Sequence, residues 1–257
     1  VAVVAVVAIL APVLAPYNPS AQDYNTILSG PFSHGHLLGT DDIGRDILSR
    51  LILGSRVSLI AGVASTLLAL IVAVPIGLVS GYYRGFMDSL FMRLNDLVLS
   101  FPFLILAVGL AAILGPSLEN ATIALAVGQF PIFLRITRAE TLALREQDYV
   151  AAAVVNGAPD RVILFRRILP NMLSPLVVQA TVAIPGAIIG AAVLSYLGLG
   201  VQPPTPAWGS MLSEAQGYLS QAPLFAVFPG VAIAVTTLSF NLVGDGLRDV
   251  LDPKVRA

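Results

Sequence analysis

A chain of 257 residues that is 56% hydrophobic and only 11% charged is far from a soluble domain, where roughly 25% of residues are charged, and reads as an integral membrane protein. A net charge of −1 gives no support for nucleic-acid binding, and the absence of cysteine excludes disulfides, thiolate metal sites and cysteine nucleophiles. At about 20 apolar residues per span, this length accommodates five or six membrane-crossing helices with their loops.

The first predicted element is the apolar run VAVVAVVAILAPVLAP, residues 1–16, read as a first transmembrane helix whose start is missing. It shows neither an initiator Met nor a basic leader. A signal-peptide core, apolar over about 7–15 residues, is the rival reading. The spans that follow make a cleaved signal unnecessary. Residues 17–56 form an extracytoplasmic segment and elbow. There Asp41, Asp42 and Asp46 flank Gly44-Arg45, a set suited to a local charge network and to capping a short helix that runs into the second span. His34 and His36 have no carboxylate or thiolate neighbour in sequence, so no metal site is assigned to them.

Five further apolar segments follow, at about residues 57–80, 94–114, 121–136, 172–199 and 224–243. With the N-terminus inside, eleven of the fourteen cations fall on inner segments and only Arg45, Arg50 and Arg56 on outer ones. Basic residues accumulate on the cytoplasmic side, so both termini are expected in the cytoplasm. Pro75, Gly77, Pro102, Gly109, Pro131, Pro185, Gly186 and Gly190 lie within the spans, where they permit close packing and bends. The spans hold no Asp, Glu, Lys or Arg at central depth, whereas intramembrane charges usually mark ion or proton paths. Gln129 and Gln179 are the main interior polar side chains, joined by Asn241 towards an end. Each fits either an interhelical hydrogen bond or a translocation path.

Between the fourth and fifth spans lies a polar island, residues 139–171, that faces the cytoplasm in this topology. Ala151, Ala152 and Ala153 favour helix, and Asn156-Gly157 supplies a left-handed stop. Pro159 suits the first turn of a second helix, with Asp160 complementing its positive end. Val162, Ile163, Leu164, Phe165, Ile168 and Leu169 give that helix apolar faces, interrupted by Arg161, Arg166 and Arg167, and Pro170-Asn171 closes the unit. Four cations balance four acids here, which argues against a polybasic lipid patch. A helix-turn-helix carrying this much apolar surface reads as a partner-docking element. Further on, Pro203-Pro204-Thr205-Pro206 is a stiff connector and Trp208 suits the membrane interface.

Enzymatic readings fail on motif chemistry. A P-loop needs Gly-x-x-x-x-Gly-Lys-Ser/Thr, and the only lysine is Lys254, with no glycine loop before it. Neither His-Glu-x-x-His nor Gly-x-Ser-x-Gly occurs, and Gly198-Leu199-Gly200 is not a dinucleotide loop.

Ala152-Ala153, Gly157 beyond them and Leu169-Pro170 resemble the Glu-Ala-Ala loop of ATP-binding-cassette (ABC) importer permeases. Ala151 stands where that family commonly has Glu, and Arg167 where it often has an apolar residue. Three further segments resemble the dipeptide/oligopeptide subfamily, C-type subunit. They are LLGTDDIGRDILSRLILGSRVSL (37–59), LGLGVQPPTPAWGSM (197–211) and GDGLRDVLDP (244–253). The resemblance implies an all-α, type I ABC importer permease bundle of about six transmembrane helices with cytoplasmic termini. Its permease domain would span 57–245, include a coupling loop at 139–171 and precede a cytoplasmic tail at 246–257. Ala151, Ala152, Ala153, Gly157, Ala158, Pro159, Leu169 and Pro170 would form the ATPase-coupling loop. Implied partners are a second homologous permease, two cytoplasmic ABC ATPase subunits or domains, an extracytoplasmic substrate-binding protein and the bilayer of a bacterial inner membrane, with no nucleic acid. ATP and magnesium would belong to the partner ATPases, with no cofactor in this chain. The implied cargo is a di- or oligopeptide. Nickel or another small solute is the alternative within the family, and an ion-coupled carrier or a membrane scaffold the alternative outside it.

Overall fold

The computed structural model describes residues 1–251; Lys254, Arg256 and the Asp252-Pro253 end of the expected tail lie outside the described residues. Among the described residues no strand forms, and two isolated bridges, Ser33–His36 and Thr40–Asp46, close turns of the outer segment.

The run at 1–16 folds as two short helices, α1 (Ala2–Ile9) and α2 (Ala11–Leu14), because Pro12 at the start of α2 has no N–H to carry the first ladder onward. The second span is much longer than its apolar stretch. Helix α3 (Ile47–Tyr83) starts at Asp46, whose carboxylate accepts from the Ser49 backbone N–H at 2.7 Å. Asp46 therefore caps the spanning helix itself rather than a separate short one. At 1.5 Å per residue α3 is about 55 Å long, so both ends project beyond a hydrocarbon core of about 30 Å.

The apolar stretch at 94–114 is not one straight span. Helix α4 (Gly85–Leu99) and α5 (Phe103–Leu114) meet at 91°. Pro102 sits at the N-cap of α5, and a proline pushes the residue before it out of the helical region, which ends α4. Helix α6 (Leu118–Arg145) is capped by Ser117 and carries Pro131 inside. Helix α7 (Asp148–Val155) follows. Pro170 does not close the next unit. Helix α8 (Asp160–Val162), a π turn (Ile163–Ile168), a 3-10 turn (Leu169–Met172) and α9 (Leu173–Tyr196) join into one helix, Asp160–Tyr196. Local changes of winding absorb the missing proline N–H. The short α10 (Trp208–Ala215) and the long α11 (Pro223–Leu251) complete the fold.

Among the described residues three helices are long and apolar enough to cross a membrane, Ile47–Tyr83, Asp160–Tyr196 and Pro223–Val250, with a fourth when the bent α4–α5 pair counts as one span. Helices α1–α2 and α6 occupy the remaining two of the six expected segments.

The bundle is organised around the α3–α6 pair, against which α9 packs, with α5 on α6 and α9, α11 on α9, and α1 on α3. Lipid tails are as apolar as leucine, so this packing relies on close approach. At Gly77 an added Cβ would lie 2.6 Å from the Thr137 Cβ, and at Gly81 2.7 Å from the Thr141 Cβ. Two small residues one turn apart on α3 thus face two threonines one turn apart on α6. Both threonine hydroxyls donate to carbonyls of their own helix, Phe133 and Thr137, and leave a smooth face. Alanines recur for the same reason: Ala61, Ala107, Ala111, Ala121, Ala124 and Ala191 surround Leu125 and Leu194 in one core.

Candidate functional site

The helix-turn-helix at 148–172 is rigid at its turn. The Ala158 N–H donates to the Ala153 carbonyl and the Gly157 N–H to the Val154 carbonyl, the two bonds of a Schellman stop. Gly157 takes φ +72°, in the left-handed region that costs a side-chain-bearing residue strain. The Asn156 amide closes the same turn onto the Ala152 carbonyl at 2.8 Å. Pro159, extended, caps α8.

Helix α7 is apolar on both sides. Val150, 1% exposed, and Ala153 pack inward with Ile163, Leu164, Ile168 and Met172, while Ala158 and Leu169 support this core from its edge. Outward, Tyr149, Ala151, Ala152, Val154 and Val155 are exposed, Val155 to 87%. Of the residues selected from sequence, Ala151, Ala152, Gly157, Pro159 and Pro170 are exposed, whereas Ala153, Ala158 and Leu169 are half-buried supports.

The loop is tied to the end of α3. The Tyr82 and Tyr83 hydroxyls donate to the two Asp160 carboxylate oxygens at 3.2 and 2.8 Å, and Arg84 pairs with Glu146 at 2.6 Å. Arg145 donates to the Tyr82 carbonyl at 2.6 Å, with its guanidinium 5.5 Å from the Tyr82 ring centroid. One layer inward, Asp88 of α4 accepts from Arg138 of α6 and Ser80 of α3, which joins three helices. Sequence reading missed this clasp. Its one local signal was Tyr82-Tyr83-Arg84 at the end of a long apolar run, where interface aromatics and cations belong.

At the opposite end of α3 the expected charge network forms, with a member from far along the chain. Asp41, fully buried, accepts from Arg45 Nε at 2.6 Å and from Arg50, and its other oxygen takes the Ile43 and Arg45 backbone N–H groups. Glu214 of α10 accepts from Arg45 at 2.8 Å and from Arg50 at 2.7 and 3.0 Å. Asp41, Asp42 and Glu214 are close enough to share a cation, but Arg45 and Arg50 already occupy them. Burial, then the adjacent Asp41 and Glu214 charges, pushes the Asp42 carboxyl above its ordinary range. His36 bonds Asp46 at 2.9 Å, which gives it a structural role. Trp208 is 3% exposed and donates from Nε1 to the Leu51 carbonyl at 3.0 Å, so it is packed inside the fold rather than at an interface.

Gln129 is buried and spends its amide within the bundle: Thr66 donates to it at 3.0 Å, and it donates to Ser65 at 3.3 Å. Gln179 on α9 is half-buried and, among the described residues, makes no side-chain hydrogen bond.

A many-helix membrane bundle with an apolar helix-turn-helix between two of its long helices is the type I ABC permease fold. A chain of the MetNI methionine ABC transporter in an inward-facing conformation superposes with a TM-score of 0.64 at 20% identity, covering 80% of this chain and 98% of that one. Residues 73–257 match the family model of the binding-protein-dependent transport system inner membrane component, and the chain belongs to that family. It is 46% identical over 259 residues to a dipeptide transport system permease protein of Haemophilus influenzae, covering 99% of this chain and 88% of the relative. It is also 45% identical to a glutathione transport system permease protein of Pectobacterium atrosepticum, covering 98% and 83%. The protein is thus a multi-span component of an inner membrane.

Proposed function

We propose that this chain is the permease subunit of an ATP-driven importer and, with a second homologous permease, encloses a path for di- or oligopeptides. Its proposed permease domain runs 57–245, flanked by the outer segment at 17–56 and a cytoplasmic tail from 246. Both termini and the 139–171 loop face the cytoplasm in this reading, supported by the distribution of arginines. An extracytoplasmic binding protein delivers cargo, and two cytoplasmic ATPase subunits or domains hold ATP and magnesium. Relatives named for dipeptide and for glutathione transport support a peptide cargo, glutathione being itself a tripeptide.

The observation that carries the reading is the outward apolar face of α7, held on a rigid turn and clasped to α3. The face docks in a groove of the ATPase. Closure of the ATPase pair then moves α7, and Asp160, Glu146 and Arg145 hand that movement to the end of α3 while Asp160–Tyr196 moves as one helix. ATP binding changes which facing state is favoured only through contacts that differ between the states. With Ala151 in place of Glu, docking rests on shape and apolar contact rather than on an ion pair at that position.

Reconstitution with the second permease, the ATPases and the binding protein tests this directly. Peptide should stimulate both ATP hydrolysis and uptake. A response to a nickel chelate with none to any peptide would overturn the cargo, and uptake that persists without ATPase would overturn the energy source.

A further inference from the structure

We infer that the groove between α1 and α3 binds one phospholipid, its phosphate on Arg56 and an acyl chain along the groove. The cavity, about 550 Å³, is lined by Ala5 and Ile9 of α1 and by Ile60, Val63 and Leu67 of α3, with Arg56 the one charged residue on its wall. On α3 these positions follow helical spacing, so Arg56 stands at one end of a single apolar stripe. Ile9, Ile60 and Leu67 are exposed among the described residues.

The position of Arg56 identifies the occupant. Tyr82-Tyr83-Arg84 marks the headgroup level at the α7 end of α3. Arg56 lies 26 residues back, about 39 Å along the helix, which spans a core of about 30 Å and reaches the opposite headgroup level. The two neighbouring arginines of that side, Arg45 and Arg50, are committed to Asp41 and Glu214. Arg56 is exposed and, among the described residues, makes no ion pair or side-chain hydrogen bond. A fixed cation at headgroup depth attracts phosphate, and a guanidinium bonds it with two parallel N–H groups. Below it the walls offer hydrocarbon and no polar side chain, which suits an acyl chain and not a peptide. The ligand class is therefore a glycerophospholipid, with an anionic one favoured over a zwitterionic one. This inference rests on the membrane placement alone and is independent of the cargo.

The test uses the assembled transporter in nanodiscs of mixed phosphatidylglycerol and phosphatidylcholine, exchanged into detergent, with retained lipid counted by native mass spectrometry. The wild type should keep phosphatidylglycerol. Arg56→Gln should keep about fivefold less, while Arg93→Gln, an exposed cation elsewhere, should match the wild type. Ala64→Phe, which fills the groove and spares Arg56, should also lose the lipid. Full retention in both Arg56→Gln and Ala64→Phe would overturn the inference. So would a photo-crosslinker at Ile60 that captures the second permease instead of lipid.

Discussion

At the scale of single residues, the buried pairs around Asp41 are the costliest to disturb. Asp41 compensates Arg50, itself 2% exposed, so Asp41→Ala leaves a buried guanidinium short of partners. Breaking such a pair costs about 3–5 kcal/mol, and the purified variant should melt well below the wild type. Asp42 behaves oppositely. A carboxyl held above its unfolded pKa binds its proton more tightly in the folded chain, so its stabilising contribution is present at low pH and is lost as pH rises through the raised value. Asp42→Asn should therefore melt higher than the wild type at pH 7, and the difference should vanish towards about pH 4. The local part of this cluster was legible: Asp41, Asp42, Arg45 and Asp46 lie within six residues. Glu214 was not, because it meets Arg50 across 164 residues of chain and one glutamate on α10 carries no sign of its partner.

At the scale of elements, backbone chemistry decides where helices stop. Gly157 was legible because a left-handed stop has a strong local signal, and the Schellman bonds form there. Its Cβ position is open, so a substitution acts through φ rather than through a clash. A β-branched residue there costs about 1–2 kcal/mol, whereas Asn tolerates the region. Gly157→Val should reduce peptide-stimulated transport while the membrane bundle still assembles, and Gly157→Asn should transport nearly normally in the same proteoliposome assay. Prolines were harder to read. Pro102 breaks a stretch that hydropathy alone joins, while Pro170 breaks nothing, because π and 3-10 turns around it let the helix continue. Hydropathy reports burial in lipid and is blind to which carbonyls find an alternative donor.

Across the whole molecule, the bundle depends on how closely α3 and α6 approach. Gly81→Leu would drive a side chain into Thr141 and the Arg138 carbonyl, and it should sharply lower the yield of monodisperse protein on size exclusion. The all-helical bundle and its family were legible in composition and in three separated segments. The clasp was not, because Tyr82, Glu146 and Asp160 come together only when the ends of α3, α6 and α8 are packed. That packing gives the transport reading its mechanical content: a docked face on α7, a rigid turn, and a direct hold on α3, one of the two longest helices among the described residues.

The chain contains no cysteine, so Val155→Cys introduces a single thiol at a position of α7 that is 87% exposed. Treating the assembled transporter with a short bifunctional thiol reagent in intact cells tests the central claim, that this face docks on a cytoplasmic ATPase. An adduct with the ATPase subunit is expected, with no labelling by a membrane-impermeant maleimide added outside. Labelling from outside, with no ATPase adduct, would contradict it.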